Sequence, residues 1–121
     1  MSTNALVAVK HKEVIKAVYV HFDGGRVGSI LAEHYNTPEL AEELVSHGAI
    51  SALGVRMHPI GPHSFEKPER NTTIFYHRDR GEALKQITYS DKVQSKADLK
   101  QEEHGCYNYI YYFNGENWEA V

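Results

Sequence analysis

The sequence has little cysteine, no long apolar run and no strong excess of one charge. Its 121 residues include one cysteine, Cys106, so neither an intramolecular disulfide nor a cysteine-cluster zinc site can form. No apolar stretch is as long as a membrane span, and the N-terminal residues lack the apolar core of a signal peptide. We therefore expect a cytoplasmic protein without a membrane partner.

The overall charge does not fit a protein that coats nucleic acid. The net charge is −3 at pH 7, whereas such proteins depend on many contacts from Lys and Arg to phosphate. Residues 55–80 form a modest basic island, with five Arg or Lys residues against three Glu or Asp residues. The charge pattern favours a small anionic ligand over duplex nucleic acid.

The length and composition predict one globular domain over residues 1–121. A chain of this size supports one hydrophobic core, and 41% hydrophobic with 24% charged residues is an ordinary balance for such a core.

The first part of the chain predicts an antiparallel hairpin. Ala5–Lys12 and Glu13–Phe22 are rich in β-branched residues and contain no Gly or Pro. Val18, Val20 and Phe22 fall on one face by the two-residue alternation, and we expect that face to be buried.

Two short helices are predicted next. Apolar residues at helical spacing indicate a helix over Arg26–Tyr35, in which Gly28 suggests close contact of the backbone with a strand or a ligand. Thr37 and Pro38 are a good N-cap and first residue for a second helix, and Gly48 fits its left-handed end.

The rest of the chain predicts several strands, with Ala49–Gly54 as a connector and Pro59–Asn71 as a loop. The segments with strand character are Val55–His58, Thr72–His77, Ala83–Tyr89, Cys106–Phe113 and Glu116–Val121. Asn114-Gly115 is a strong hairpin signal, and Asp91–His104 is either a solvated helix or a mobile excursion. The predicted fold is α+β, an antiparallel or mixed β-sheet with two short adjacent helices packed on one face.

A first polar cluster lies where the second strand meets the first helix. It comprises His21, Asp23, Gly24, Gly25 and Arg26. Free backbone N–H groups and the positive end of a helix suit an anion at such a junction. The spacing matches neither a Walker A loop nor a dinucleotide fingerprint, so a purely structural glycine turn stays open as the alternative.

A second polar cluster lies at the end of the predicted strand over Thr72–His77. It comprises Tyr76, Arg78, Arg80 and Glu82. Arginine binds phosphate through two parallel hydrogen bonds, and a carboxylate can accept a ribose hydroxyl. The alternative is a solvated turn with surface ion pairs that contribute little. If the two clusters meet, they form one binding site for a phosphorylated ligand.

A metal site is a further alternative. His-x-Asp occurs at His21 with Asp23 and again at His77 with Asp79, and residues two apart on a strand point the same way. Two such pairs could bind one metal ion and support hydrolysis. Otherwise the aspartates cap turns and the histidines pack at strand ends. We expect no other cofactor.

The C-terminal strand raises two smaller questions. Cys106 has no evident histidine partner and is expected to be a small buried residue. Tyr107, Tyr109, Tyr111 and Phe113 alternate onto one face, which fits packing in the core or in a dimer better than a platform for nucleobases.

Four segments together resemble a group of small phage and prophage proteins. That group has a His-Trp-Asp-Gly turn, a helix ending in His-Tyr and an Arg-Asp-Arg-Gly-Glu motif. The matching segments here are Val20-His-Phe-Asp-Gly-Gly-Arg-Val-Gly28, Leu31-Ala-Glu-His-Tyr-Asn36, Glu43-Leu-Val-Ser-His-Gly48 with Ile50-Ser-Ala-Leu53, and Tyr76-His-Arg-Asp-Arg-Gly-Glu82. The resemblance covers about residues 14–84, with Phe22 in place of the tryptophan and without the Tyr-Pro that often follows the glycine.

Among phage proteins, the size and composition look like those of the Thoeris anti-defence sponges. These are small oligomers that sequester immune signals of the cyclic ADP-ribose type, and some relatives hold cyclic oligonucleotides. The resemblance implies a homo-oligomeric counter-defence protein in the host cytoplasm that binds such a ligand without cleaving it. Two other functions stay open: a metal-dependent hydrolase of a nucleotide, and a protein-directed inhibitor of a host nuclease or CRISPR effector.

Overall fold

A computed structural model describes residues 3–121, in which seven strands form one mixed sheet and four helices pack against it. The strands are β1 (Ala5–His11), β2 (Val14–Val20), β3 (Ile50–Ala52), β4 (Ile74–Phe75), β5 (Ile87–Thr88), β6 (Tyr109–Phe113) and β7 (Trp118–Ala120). The helices are α1 (Gly24–His34), α2 (Pro38–Ser46), α3 (Tyr76–Arg80) and α4 (Lys96–Glu102). The predicted α+β class is confirmed. No helix in this part of the chain is long and apolar enough to cross a membrane.

The hairpin of β1 and β2 is the centre of the sheet. Its register pairs Ala5 with Val20 and His11 with Val14, which leaves Lys12 and Glu13 as a two-residue turn and confirms the predicted antiparallel hairpin. The strand order is β4-β3-β2-β1-β6-β7. β5 and β3 pair with the same side of β2, β5 near Lys16 and Ala17 and β3 at Val20. β1 with β6 and β2 with β3 are parallel, and the other pairs are antiparallel.

Both faces of the central hairpin are buried. On one face, α1 and α2 cover the sheet, as predicted, through Val27, Leu31 and Leu44. On the other face, Leu99 of α4 packs with Leu6 and Ile15 in a second apolar cluster. The charged segment Asp91–His104 therefore contains a short helix that covers the sheet, with Ser95 accepting a hydrogen bond from the Asp98 amide as its N-cap.

Tertiary contacts override the local sequence signal around β3. The predicted connector Ala49–Gly54 contains β3, because the carbonyls of Ile50 and Ser51 accept hydrogen bonds from the His21 and Phe22 amides. The predicted strand Val55–His58 is reduced to an isolated bridge from Arg56 to Thr72.

The predicted strand Thr72–His77 is wrong beyond Phe75. β4 comprises only Ile74 and Phe75, and the chain then turns into α3. The Asp79 carboxylate accepts a hydrogen bond from the Phe75 amide at 2.9 Å, which satisfies a free donor at the start of the helix. Tyr76 and His77 therefore belong to a helix.

The aromatic C-terminal strand begins later than predicted, at Tyr109. Tyr111 and Phe113 lie in the core beneath α1, whereas Tyr107 precedes the strand and packs against the opposite cluster. Cys106 is exposed, which corrects the prediction of a buried residue, because it lies in the turn after α4. Phe22 is also 43% exposed, since β2 ends at Val20.

The glycines of α1 allow the helix to lie close to its neighbours. A Cβ added at Gly24 would lie 2.5 Å from the Asn4 carbonyl oxygen, and one added at Gly28 would lie 2.7 Å from the Tyr111 ring. The close contact predicted at Gly28 is therefore with β6. The Tyr111 hydroxyl also donates to the Gly24 carbonyl at 2.9 Å, which holds the ring in place.

Gly28→Ala is expected to lower the free energy of unfolding by about 1–2 kcal/mol, because overpacking costs more than the roughly 1 kcal/mol that Ala gains in helix propensity. Gly25→Ala is the matched control on the same helix, since its Cβ would lie an ordinary 3.5 Å from Tyr109. Urea denaturation would measure both variants. Equal free energies of unfolding for the two variants would contradict the prediction, because they would show that a methyl group fits between Gly28 and the Tyr111 ring without cost.

Candidate functional site

The two predicted polar clusters meet at His21 and Tyr76. Nδ1 of His21 and the Tyr76 hydroxyl are 3.0 Å apart and form a hydrogen bond. His21 lies just beyond β2, and Tyr76 is the first residue of α3, which follows β4. The sheet brings them together because β3 lies between β2 and β4.

A shallow groove surrounds this hydrogen bond. It has a volume of about 210 Å³ and is lined by Tyr19, His21, Ala49, Tyr76, Glu82, Ala83 and Lys85. A neighbouring hollow of about 370 Å³ shares Tyr19, Ala49 and Lys85 and runs along β2 toward β5. Because they share these three lining residues, we call the two hollows together the β2-edge groove.

Aromatic side chains continue outward from the β2-edge groove. The rings of His21 and Phe22 stack with their centres 4.2 Å apart and an interplanar angle of 14°. The centre of the Tyr19 ring lies 5.7 Å from the centre of the His21 ring. On the other side, the Tyr76 ring lies 5.6 Å from Phe65. We call these five side chains the aromatic strip. Such rings can stack on a planar ligand.

Charged groups of both signs border the strip. Arg80 places its guanidinium 4.9 Å from the centre of the Phe65 ring, and its Nε lies 3.2 Å from Glu82. Glu82 and Lys85 line the groove itself. Lys85 and Phe65 were not predicted as site residues, because each lies outside the recognisable motifs. Phe22 was not predicted because the two-residue alternation assigned it to the buried face of the second strand.

Arg78, predicted as a phosphate contact, points into the protein. Its guanidinium donates hydrogen bonds to the carbonyls of Met57 at 2.8 Å and Thr73 at 2.9 Å, and also to Asp79. It also lies over the Phe75 ring at 4.7 Å. These contacts use its donors within the protein and leave Arg80 as the exposed arginine of the motif.

Asp79 is buried against the same network. His63 accepts a hydrogen bond from the Glu69 amide at Nδ1, and its Nε2 lies 3.2 Å from Asp79. Burial alone would raise the pKa of Asp79, but hydrogen bonds from Arg78, the Phe75 amide and His63 lower that pKa overall. The carboxylate is therefore kept ionised as the partner of Arg78.

The first polar cluster is divided between two places. Arg26 lines a separate groove of about 270 Å³ together with Glu69 and Arg70. Asp23 is the N-cap of α1 in a left-handed conformation, with φ 57°, and its side chain makes no capping hydrogen bond.

Gly24 and Gly25 form the first turn of α1, two residues earlier than the predicted helix start. The Gly24 amide donates to the Thr3 carbonyl at 2.8 Å, and the Arg26 amide donates to the Asp23 carbonyl at 2.8 Å. Protein carbonyls therefore use two of the N–H groups that the predicted anion site required.

The alternative metal site lacks the strand geometry on which it depended. His77 and Asp79 lie on α3, where residues two apart point in different directions. Within residues 3–121, no three of His21, Asp23, His77 and Asp79 place their ligand atoms within 4.8 Å of one another.

A different set of metal-ligating side chains does gather in this part of the chain. Glu43 of α2, its C-cap residue His47 and His58 place one ligand atom each within 4.8 Å of the others. Burial lowers the pKa of His47, and the charges of His58 and Arg78 lower it further, which favours the neutral ring. The Glu-x-x-x-His spacing in α2 was the sequence signal for this set, because residues four apart share a helix face.

Comparison with protein-family models, with curated proteins and with solved structures finds no match to this chain.

Arg78→Ala is expected to lower the free energy of unfolding by about 3 kcal/mol, because it leaves the buried Asp79 carboxylate without its main partner. Arg80→Ala is the matched control, since Arg80 is exposed and its ion pair with Glu82 is also largely exposed. It should change stability by less than about 0.5 kcal/mol. Urea denaturation at neutral pH measures both, and similar losses for the two arginines would contradict the structural role of Arg78.

The hydrogen bonds that Glu69 accepts in the segment between β3 and β4 can be tested at acid pH. Hydrogen bonds from the Thr72 hydroxyl and from the amides of Ile60 and Gly61 lower its pKa from 4.5 to about 2. Because the pKa of Glu69 is lower in the folded state, its ionised carboxylate stabilises the folded protein above pH 4.5, and this stabilisation is lost as the pH falls toward 2. Glu69→Gln should therefore have a lower free energy of unfolding than the native protein at pH 7. The difference between the two proteins should shrink as the pH falls from 4.5 toward 2.

The measurement is the free energy of unfolding in urea at a series of pH values. Glu66→Gln, in an exposed residue of the same segment, is the control and should follow the native profile. A stability difference for Glu69→Gln that stays constant from pH 7 to pH 2 would contradict the assignment.

Proposed function

We propose that this protein binds a phosphorylated nucleotide in the β2-edge groove and sequesters it without cleaving it. The observation that carries the proposal is the hydrogen bond between His21 and Tyr76, which joins the two polar clusters inside a groove bordered by aromatic rings. A nucleotide has a planar base, a ribose and an anionic phosphate. The groove has a group suited to each of the three.

The base stacks on the aromatic strip in this proposal. Phe22 is the most accessible ring of the strip, at 43% exposure, and it already stacks on His21. Stacking of a base on an aromatic side chain contributes about 1–3 kcal/mol.

The phosphate and the ribose use the charged border. Lys85 and Arg80 are exposed cations that can contact phosphate oxygens, and Arg80 can do so without disturbing the core. Glu82 lies between them in sequence and can accept a ribose hydroxyl. Arg78 contributes indirectly, because it holds α3 in position.

Binding without turnover is favoured over metal-dependent hydrolysis by the position of the candidate ligands. His21, Asp23, His77 and Asp79 do not converge within residues 3–121, so a hydrolytic metal ion has no shared ligand set at this groove. The resemblance to phage proteins supports the further proposal that such a binder acts in counter-defence, as a homo-oligomeric sponge for a cyclic nucleotide or a cyclic ADP-ribose-type signal in the host cytoplasm.

The test is calorimetric titration of the purified protein with cyclic ADP-ribose and with a cyclic dinucleotide. We expect one of them to bind, and Phe22→Ala to weaken its affinity by about tenfold through the loss of stacking. Tyr109→Ala is the matched control, since Tyr109 is 44% exposed but lies outside the strip. Its affinity should stay within twofold of the native protein.

Ligand recovered after heat release decides between binding and turnover. Intact ligand, identified by mass spectrometry, is the expected result. Cleaved product that requires a divalent metal would support the hydrolase instead. Failure of both ligands to bind, or equal losses for Phe22→Ala and Tyr109→Ala, would contradict the proposed site.

A further inference from the structure

A cluster of nitrogen and oxygen ligands lies at the C-terminal end of α2, apart from the residues that line the β2-edge groove. Nε2 of His58 is 2.6 Å from Oε2 of Glu43, and Nε2 of His47 is 3.9 Å from the same oxygen. The two imidazole rings meet edge to face with their centres 5.5 Å apart. Two parts of the chain contribute, since Glu43 lies in α2 and His47 is its C-cap residue, whereas His58 belongs to the segment between β3 and β4.

His47 Nε2 is the unusual atom of the cluster. It is buried, and within residues 3–121 it has no hydrogen-bond partner. The distance of 3.9 Å to Glu43 is too long for a hydrogen bond. A buried polar atom without a partner normally carries an energetic cost, and this one faces two other ligand atoms.

We propose that Glu43, His47 and His58 bind a transition-metal ion of the zinc class. Ligand bonds of about 2.0–2.1 Å in a tetrahedral site place the ligand atoms roughly 3.3 Å apart. The observed separations of 2.6 Å and 3.9 Å, with the third no more than 4.8 Å, bracket that value. Small side-chain rotations are therefore enough to form the site.

The ligand set selects the class of metal. Two imidazole nitrogens and one carboxylate oxygen suit zinc and its neighbours, whereas magnesium and calcium prefer oxygen ligands alone. The side chains of Glu43 and His58 are about half exposed, so solvent reaches the cluster and a water molecule can supply the fourth ligand.

Neighbouring charges do not oppose a cation strongly. Arg78 is close enough to influence His47, but its guanidinium is paired with the Asp79 carboxylate. The pair of His11 with Glu42, 2.8 Å apart, makes a useful comparison, because no third metal-ligating side chain among residues 3–121 joins it.

The bound ion would connect α2 to the long segment between β3 and β4. That segment carries Phe65 of the aromatic strip and His63 of the buried network. Metal binding is therefore expected to stabilise the folded protein, because an ion that binds only the native state raises its stability.

The experiment uses the full-length protein after treatment with a chelator and removal of that chelator. Zn²⁺ is titrated in competition with a chromophoric chelator, and Co²⁺ binding is followed by its visible absorption. The native protein and His11→Ala should each bind one ion with affinities within twofold of each other. Glu43→Ala and His58→Ala should weaken binding by more than about tenfold, which exceeds the smallest effects of outer-shell changes.

Both main variants change exposed side chains, so folding is not at risk in the way it is for His47, which packs against Phe75 at 4.8 Å. Circular dichroism verifies the fold of each variant. The proposal is overturned if the native protein binds no Zn²⁺, if Glu43→Ala and His58→Ala bind as well as the native protein, or if His11→Ala loses binding to the same extent.

Discussion

The buried ion pair of Arg78 with Asp79 is the interaction on which the site depends. Arg78 of α3 donates hydrogen bonds to the carbonyls of Met57 and Thr73. The Asp79 carboxylate accepts a hydrogen bond from the Phe75 amide of β4 and lies against His63. The long segment between β3 and β4 has little regular structure of its own, so these contacts fix its course. They thereby place Phe65 beside Tyr76 and Arg80 at the edge of the β2-edge groove.

Where local sequence and tertiary structure agree, the sequence was sufficient to predict the fold. The hairpin of β1 and β2 and the Thr37-Pro38 start of α2 follow from alternation and capping, which are properties of neighbouring residues. β3 and α3 could not be predicted in this way. β3 is defined by hydrogen bonds from the His21 and Phe22 amides, which are far away in the sequence. α3 replaces the end of the strand predicted over Thr72–His77, because the Asp79 carboxylate accepts a hydrogen bond from the Phe75 amide.

The candidate site was predicted in part. His21, Tyr76 and Glu82 line the same groove, so residues of the two polar clusters do meet, although β3 lies between the two strands that precede them. The alternating charges of Arg78-Asp-Arg-Gly-Glu82 could not reveal that its first arginine is structural and its second is exposed, since that depends on which side chain faces the core. Folding therefore accounts for the first two residues of this motif, Arg78 and Asp79.

The central claim is that the aromatic strip around His21 and Tyr76 contacts a nucleotide. Its most direct test is a side-chain NMR titration with ADP-ribose, observing the aromatic rings of assigned Tyr, Phe and His residues. We predict saturable shifts of the His21, Phe22, Tyr76 and Phe65 signals, with Tyr109 and the buried Tyr35 unchanged. Shifts confined to rings outside the strip, or no shifts at saturating ligand, would contradict the claim.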